Sequence, residues 1–205
     1  MKAELSTGIV TVRCGWNAPA KRIQSLAVGI VIKPERLDLV QLSREETLAR
    51  MAAMSPEDRK QLSPAWLALI ENSEASELWI DGFKMVERAS GTTVGSCGFK
   101  GPPDSEGAVE IAYGLAPEFQ GKGFATEAAA ALANFAFSHD QVRLVRAHTL
   151  PEVNASGKVL TRCGFRRVGD YMDPDDGLVW RWERSRERTT PAQSQSTATP
   201  PRKSQ

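Results

Sequence analysis

The stretch Gln120-Gly121-Lys122-Gly123-Phe124-Ala125 lies between an alternating apolar run, Val109 to Leu115, and a helical pattern beginning at Phe124. Glycine at 121 and 123 lets the backbone turn tightly and removes side chains that would keep a ligand away from main-chain N–H groups. The start of a helix offers unpaired N–H groups and a partial positive charge, so an anion such as a diphosphate is favoured there. The side chain of Lys122 adds a diffuse positive field. A bare G-x-G before a helix is more often a tight turn than a binding site. Two rival phosphate motifs are missing: no G-K-S/T follows an upstream glycine at Walker spacing, and no third glycine completes a dinucleotide fingerprint.

Such a loop needs a strand before it and a helix after it. Residues 124–137 place Ala128, Leu132, Phe135 and Ala136 on one helical face, Val142 to His148 reads as a strand, and Ala155 to Arg162 as a helix stopped by Gly164. Phe165 to Tyr171 and Leu178 to Trp182 are two further strands around the turn-rich segment Asp173 to Gly177. Upstream, Leu37 to Leu42 predicts a strand, and Ser43 with Glu46 has capping-box spacing. Ser55-Pro56 and Ser63-Pro64 each pair an N-cap residue with proline, the second leading into Trp66, Leu67, Leu69 and Ile70. Leu78 to Ile80, Phe83 to Val86, Val94 to Phe99 and Val109 to Leu115 read as strands in antiparallel hairpins. This order predicts an α+β fold rather than a regular βαβ alternation.

The chain of 205 residues suits one buried core. Residues 1–25 read as a loose N-terminal extension, 26–184 as the folded domain, and 185–205, rich in Thr, Ser, Gln and Pro, as a disordered tail. With 26 Lys plus Arg against 25 Asp plus Glu there is no basic excess to bind nucleic acid. Cys14, Cys97 and Cys163 are far apart and lack C-x-x-C spacing, so neither a disulfide framework nor a zinc site is expected, and a reducing cytoplasm fits. The apolar run Leu26 to Ile32 is too short to cross a bilayer, and Lys33-Pro34-Glu35 stands where a signal cleavage site would be, so no membrane association is expected.

The loop resembles the acyl-CoA signature of the Gcn5-related N-acetyltransferase (GNAT) superfamily, which reads Gln or Arg, two free positions, Gly, one free position, then Gly or Ala. Gln120, Gly123 and Ala125 fill those places. Val109 to Pro117 is similar to that family's fourth strand, and Thr126-Glu127-Ala128 to the start of its pyrophosphate helix. Pro151 to Phe165 resembles its second CoA-proximal motif, above all in the subgroup that includes ribosomal-protein alanine acetyltransferases. One departure is visible: the subgroup's Asn three places before Ser156 is Val153 here, and the Asn stands one residue later, at 154.

The resemblance implies a mixed, mostly antiparallel central sheet flanked by helices, acetyl-CoA as cosubstrate and no metal. It implies transfer of the acetyl group to a primary amine, a protein N-terminal α-amine or a small-molecule amine, by direct attack. The CoA contacts carried over are Leu115, Gln120, Gly121, Lys122, Gly123, Phe124, Ala125, Thr126 and Asn154, and a backbone N–H between Ala112 and Leu115 is the implied oxyanion donor. Glu110, a carboxylate inside an otherwise apolar strand, is the candidate base, directly or through a water, or else one charge on a solvated face. An α-amine with pKa about 7.7–8.0 needs such a base less than a lysine near 10.4. Ser156 stands where the subgroup offers a hydroxyl to the departing sulfur, though it also suits a helix start. Tyr113 and Tyr171 are alternative donors, or aromatic packing groups. His139 and His148 have no partner near in sequence and read as structural or exposed, and Cys163 as packing. The segment from Ser43 to Glu71 and the loop Gly101 to Gly107 are expected to wall the acceptor side. Glu71, Glu74 and Glu77 form either an attractor for cationic amines or a solvated helix end. A noncatalytic acyl-CoA-binding module and a nucleotide-binding interaction domain are the competing functions, and monomer and homodimer are both left open.

Overall fold

The computed structural model describes residues 29–55, 63–73, 77–174 and 176–186. The N-terminal extension at 1–25, the helix expected after Ser55, Glu74, and the tail from 187 onward lie outside the described residues.

Strands β1 (Val31–Ile32) and β2 (Leu37–Gln41) are followed by helices α1 (Arg44–Ala52) and α2 (Pro64–Asn72). Then come β3 (Phe83–Glu87), β4 (Thr92–Phe99), β5 (Ala108–Leu115), helix α3 (Phe124–Phe137), β6 (Leu144–Thr149), helix α4 (Ala155–Arg162), β7 (Arg166–Asp173) and β8 (Gly177–Ser185). All eight strands join one sheet in the order β1-β2-β3-β4-β5-β6-β8-β7. The other neighbouring pairs are antiparallel, β3–β4, β4–β5 and β7–β8 through short connections, whereas the crossover through α3 makes β5 and β6 parallel. The expected α+β architecture, mixed and mostly antiparallel, is the one found.

Alternation along the strands sends Leu37, Leu39, Phe83, Met85, Val94, Val109 and Ile111 into one core, where they meet Ala128, Leu132 and Ala136 of α3. Ala128, Ala129, Ala133 and Ala136 are all fully buried, and their small side chains let the helix lie close to the sheet. Near the middle of β4 the strands themselves come close. A Cβ on Gly95 would stand 2.2 Å from the Gly114 carbonyl oxygen. Helix α1 starts on the expected capping box of Ser43 and Glu46, and α2 on Ser63 with Pro64 in its first turn. A smaller apolar cluster of Met51, Ile70 and Ile80, backed by Trp66 and Trp79, packs these helices.

One expectation is corrected. Leu78 to Ile80 forms a turn instead of a strand, because the N–H groups of Ile80 and Asp81 both return to the Glu77 carbonyl at 3.1 and 3.0 Å. The Asp81 carboxylate accepts from the Glu77 N–H at 2.5 Å and closes the turn from the other side. Strand β8 runs to Ser185, and Arg186 N–H donates to the Arg143 carbonyl at 3.0 Å. Among the described residues no helix is long and apolar enough to cross a membrane.

Gly95→Ala tests the close approach of β4 and β5. Overpacking of this kind costs about 1–3 kcal/mol, so urea denaturation should show a clearly lowered midpoint; an unchanged midpoint would mean that the two strands can part there freely.

Candidate functional site

Strand β5 ends at Leu115, a single 3-10 turn occupies Pro117–Phe119, and the chain reaches Gln120 to Gly123 before α3 begins. Gly123 is the N-cap residue with φ 85°, a left-handed conformation costly for any residue with a Cβ. No side chain caps α3 there, so its first N–H groups retain their capacity for an anion. The Gln120 side-chain amide donates to the Leu115 carbonyl at 3.3 Å and closes the loop onto the strand end. Lys122 Nζ lies 5.2 Å from the Phe119 ring centre, a cation held at the loop tip by an aromatic face.

A buttress unforeseen from sequence stands against this loop. Glu127, in the first turn of α3, accepts from the N–H groups of Arg36 and Leu37 at 2.6 and 2.9 Å and from Arg36 Nε at 2.9 Å. Arg36 Nη1 in turn donates to the Lys122 carbonyl at 3.0 Å, and its guanidinium lies 4.8 Å from the Phe124 ring centre. One carboxylate thus fastens the start of β2 to the start of α3, and one guanidinium braces the loop.

Beside the loop the sheet opens. The parallel ladder of β5 and β6 pairs only Ala108, Val109 and Glu110 with Leu144, Val145 and Arg146. Beyond it β5 remains paired with β4, and β6 with β8, so the two strands part as a wedge that widens toward the loop. Tyr113 and the first turn of α4 lie together, the Tyr113 hydroxyl donating to the Ser156 carbonyl at 3.4 Å. Both residues are buried, and burial pushes the Tyr113 hydroxyl well above its ordinary range, so it stays a neutral donor. Asn154 is the N-cap of α4: its side-chain oxygen accepts from Gly157 N–H at 2.9 Å, and its amide donates to the Glu152 carbonyl at 3.0 Å.

The opposite face of β5 carries charge. Glu110 Oε1 lies 2.8 Å from Lys100 Nζ and 3.3 Å from His148 Nδ1. His148 Nδ1 is also 3.7 Å from Asp173 Oδ2, and Lys100 Nζ is 3.8 Å from Asp176 Oδ2. The imidazole stacks on Tyr171 with ring centres 5.3 Å apart, Arg181 Cζ covers Tyr171 at 3.7 Å, and Arg181 Nε donates to His148 Nε2 at 3.4 Å. Burial would raise the Glu110 carboxyl, but the facing imidazole and the Lys100 ammonium outweigh it and hold it down at about 2. The charge of Glu110 keeps the Lys100 ammonium above its ordinary range despite burial.

The expected site residues therefore fall into two groups. Gln120 to Thr126 form the loop and helix start, with Leu115 at the adjoining strand end; Ser156 and Asn154 open α4 across the wedge. Glu110 points to the other face, where Lys100, His148, Asp173 and Arg181 join it. The pairing of Phe99 with Ile111 sets Lys100 beside Glu110, and the pairing of Glu110 with Arg146 brings His148 within reach; neither register was legible before the topology. The loop Gly101 to Gly107 is held to the sheet by Arg146, which pairs with Asp104 at 2.9 Å, Glu106 at 3.0 Å and Glu183 at 3.1 Å. Glu77 accepts from Ser73 Oγ at 3.0 Å, a local role at the turn.

The family model described as acetyltransferase (GNAT) domain matches residues 30–166. The uncharacterized N-acetyltransferase p20 of Bacillus licheniformis is 31% identical over 91 residues, 44% of this chain and 51% of that protein. The chain spans about half the length of the curated relatives it matches. An acetyltransferase (GNAT family) from Bacillus anthracis superposes with a TM-score of 0.56 at 19% identity, covering 76% of this chain and 98% of that one. Mycobacterium smegmatis RimJ, solved in complex with CoA-disulfide, gives a TM-score of 0.56 at 18% identity over 77% of this chain and 88% of its own. At these identities the two structures establish a shared fold.

Two measurements probe the geometry directly. Glu127→Ala strips the acceptor from the exposed Arg36 N–H and from the N–H of buried Leu37, the latter costing about 1–3 kcal/mol if left unpaired, whereas Arg36→Ala leaves both satisfied; urea midpoints should fall further for Glu127→Ala. Glu110 has a folded pKa depressed from 4.5 to about 2, so its contribution to stability is present above about 4.5 and is lost as pH falls toward 2. The gap in stability between wild type and Glu110→Gln should therefore narrow between pH 5.5 and pH 3.

Proposed function

Because this chain belongs to the acetyltransferase (GNAT) domain family, we propose that it transfers an acetyl group from acetyl-CoA to a primary amine. The observation that carries the reading is the uncapped start of α3 opening onto the wedge between β5 and β6, with Glu110 at the point where the strands meet. The diphosphate is taken by Gln120, Gly121, Lys122, Gly123, Phe124, Ala125 and Thr126, where N–H groups and the helix dipole favour an anion. From Leu115 back to Glu110 a strand covers roughly 17 Å at about 3.3 Å per residue, a length that suits an extended pantetheine arm. Backbone groups of β5 that β6 no longer pairs are available to the amides of that arm, with Asn154 at the opposite wall.

The acceptor enters from the Glu110 face, where that carboxylate draws an ammonium and favours loss of its proton through a neighbouring group or a water. The amine nitrogen attacks the thioester carbonyl, a β5 backbone N–H between Ala112 and Leu115 stabilises the oxyanion, and the C–S bond breaks with its electron pair leaving on sulfur. The Ser156 hydroxyl, or the neutral Tyr113 hydroxyl beside it, supplies a proton to the thiolate. RimJ, a neighbour solved with a CoA derivative, supports the choice of donor. The acceptor we propose is a protein N-terminal α-amine or a small-molecule amine, since either supplies more neutral nucleophile near pH 7 than lysine does.

Thiol release from acetyl-CoA against a panel of amines tests this. Turnover with at least one amine is expected, and Gly123→Val should raise the KM for acetyl-CoA about tenfold or more, from about 1–3 kcal/mol of backbone strain. CoA binding without thiol release for any amine would make the protein a binding module instead.

A further inference from the structure

We infer that His148 is the group that takes the acceptor amine's proton, and that Glu110 acts through it. The inference rests on the acetyl-transfer reading. His148 is only 6% exposed and sits on β6 just past the last residue paired with β5, where the wedge begins. Every element around it contributes a charge or a polar ring: Lys100 after β4, Glu110 on β5, Tyr171 and Asp173 on β7, and Arg181 on β8. Their placement fixes the tautomer. Two carboxylates face Nδ1, at 3.3 and 3.7 Å, whereas an N–H donor faces Nε2, at 3.4 Å. An imidazole in that setting carries its hydrogen on Nδ1 and its lone pair on Nε2. Stacking on Tyr171 holds the ring plane.

A carboxylate already ion-paired with Lys100 Nζ at 2.8 Å, and held below its ordinary range by that ammonium, is a poor resting place for a proton from an amine. It is well suited to stabilising an imidazolium next to it. Burial of Nδ1 and of Glu110 Oε1 without a well-aligned hydrogen bond leaves that pair short of full satisfaction in the resting protein, and a positive charge on the ring would tighten it. The Arg181 contact at Nε2 is long, and its guanidinium is anchored over Tyr171, so a water or the amine can replace it at the lone pair. As the C–N bond forms, one amine proton passes to Nε2, Nδ1–H stays aimed at Glu110 and Asp173, and the C–S electron pair departs on sulfur. The thiolate takes its proton from the Ser156 or Tyr113 hydroxyl, and the imidazolium's proton, passed on through solvent, restores that hydroxyl, which closes the balance for neutral amine and thioester giving amide and thiol.

The experiment is the pH dependence of kcat/KM for thiol release by the full chain, with the best amine of the panel, for wild type, His148→Gln and His148→Ala. The wild-type acid limb should report two ionisations, those of amine and imidazole, and the His148→Gln limb only that of the amine. The variant's kcat/KM should fall about 100-fold or more, with CoA affinity by calorimetry unchanged. Added imidazole should restore activity to His148→Ala. His148→Gln turnover within about twofold of wild type with an unaltered acid limb would overturn the inference; so would absence of imidazole rescue in His148→Ala, including the case where His148→Gln has lost CoA binding. Wild type inactive with every amine would instead remove the acetyl-transfer reading beneath it.

Discussion

The parting of β5 and β6 after three paired residues is the constraint on which the rest of the site depends. A parallel pair is joined through a crossover, so its two strands are not tied by a short turn and are free to diverge once each has another partner. Here β5 keeps β4 and β6 keeps β8, and divergence costs no more than the ladder bonds it forgoes. Arg146 fixes where it begins. Standing at the last paired position, it binds Asp104 and Glu106 from the β4–β5 loop and Glu183 from β8, so both strands are tied together at their closed end. Trp182 secures the other wall: its indole N–H donates to Thr149 Oγ1 at 3.1 Å at the end of β6, while its ring packs beneath Gly157 of α4.

Opening the sheet creates two chemically different faces at one place. On the helix side lie neutral donors, the hydroxyls of Tyr113 and Ser156 and the N–H groups of α3. On the other lie the charges, Lys100 and Arg181 set against Glu110, Asp173 and Asp176 around one imidazole. Because successive residues of β5 alternate between these faces, a single strand supplies both, Tyr113 to one and Glu110 to the other. Separation by the strand itself keeps a negative carboxylate away from the uncapped start of α3.

The loop was legible in the sequence because its information is local: glycine spacing, a strand before it and a helix after it. The capping box of α1 and the Ser63-Pro64 start of α2 were legible for the same reason. Lys100, His148 and Arg181 were not, because each meets Glu110 or its neighbours only through strand registers that join residues far apart in sequence. Leu78 to Ile80 misled through composition. An apolar triplet resembles a strand, but the side chain of Asp81 and the carbonyl of Glu77 compete locally for the backbone and win. Asn154, expected as a CoA contact, has its side-chain oxygen engaged at the start of α4, a local use that a one-residue displacement from the subgroup pattern permits.

Glu127 joins two elements far apart in sequence, an edge-proximal strand and the uncapped start of α3. Linkage makes that joint reciprocal. Whatever free energy a bound anion adds to the ordered loop is shared with the docking of β2, and whatever loosens β2 is felt as weaker anion affinity. Strand β2 would then report occupancy of the loop through its own protection from hydrogen exchange without touching the ligand.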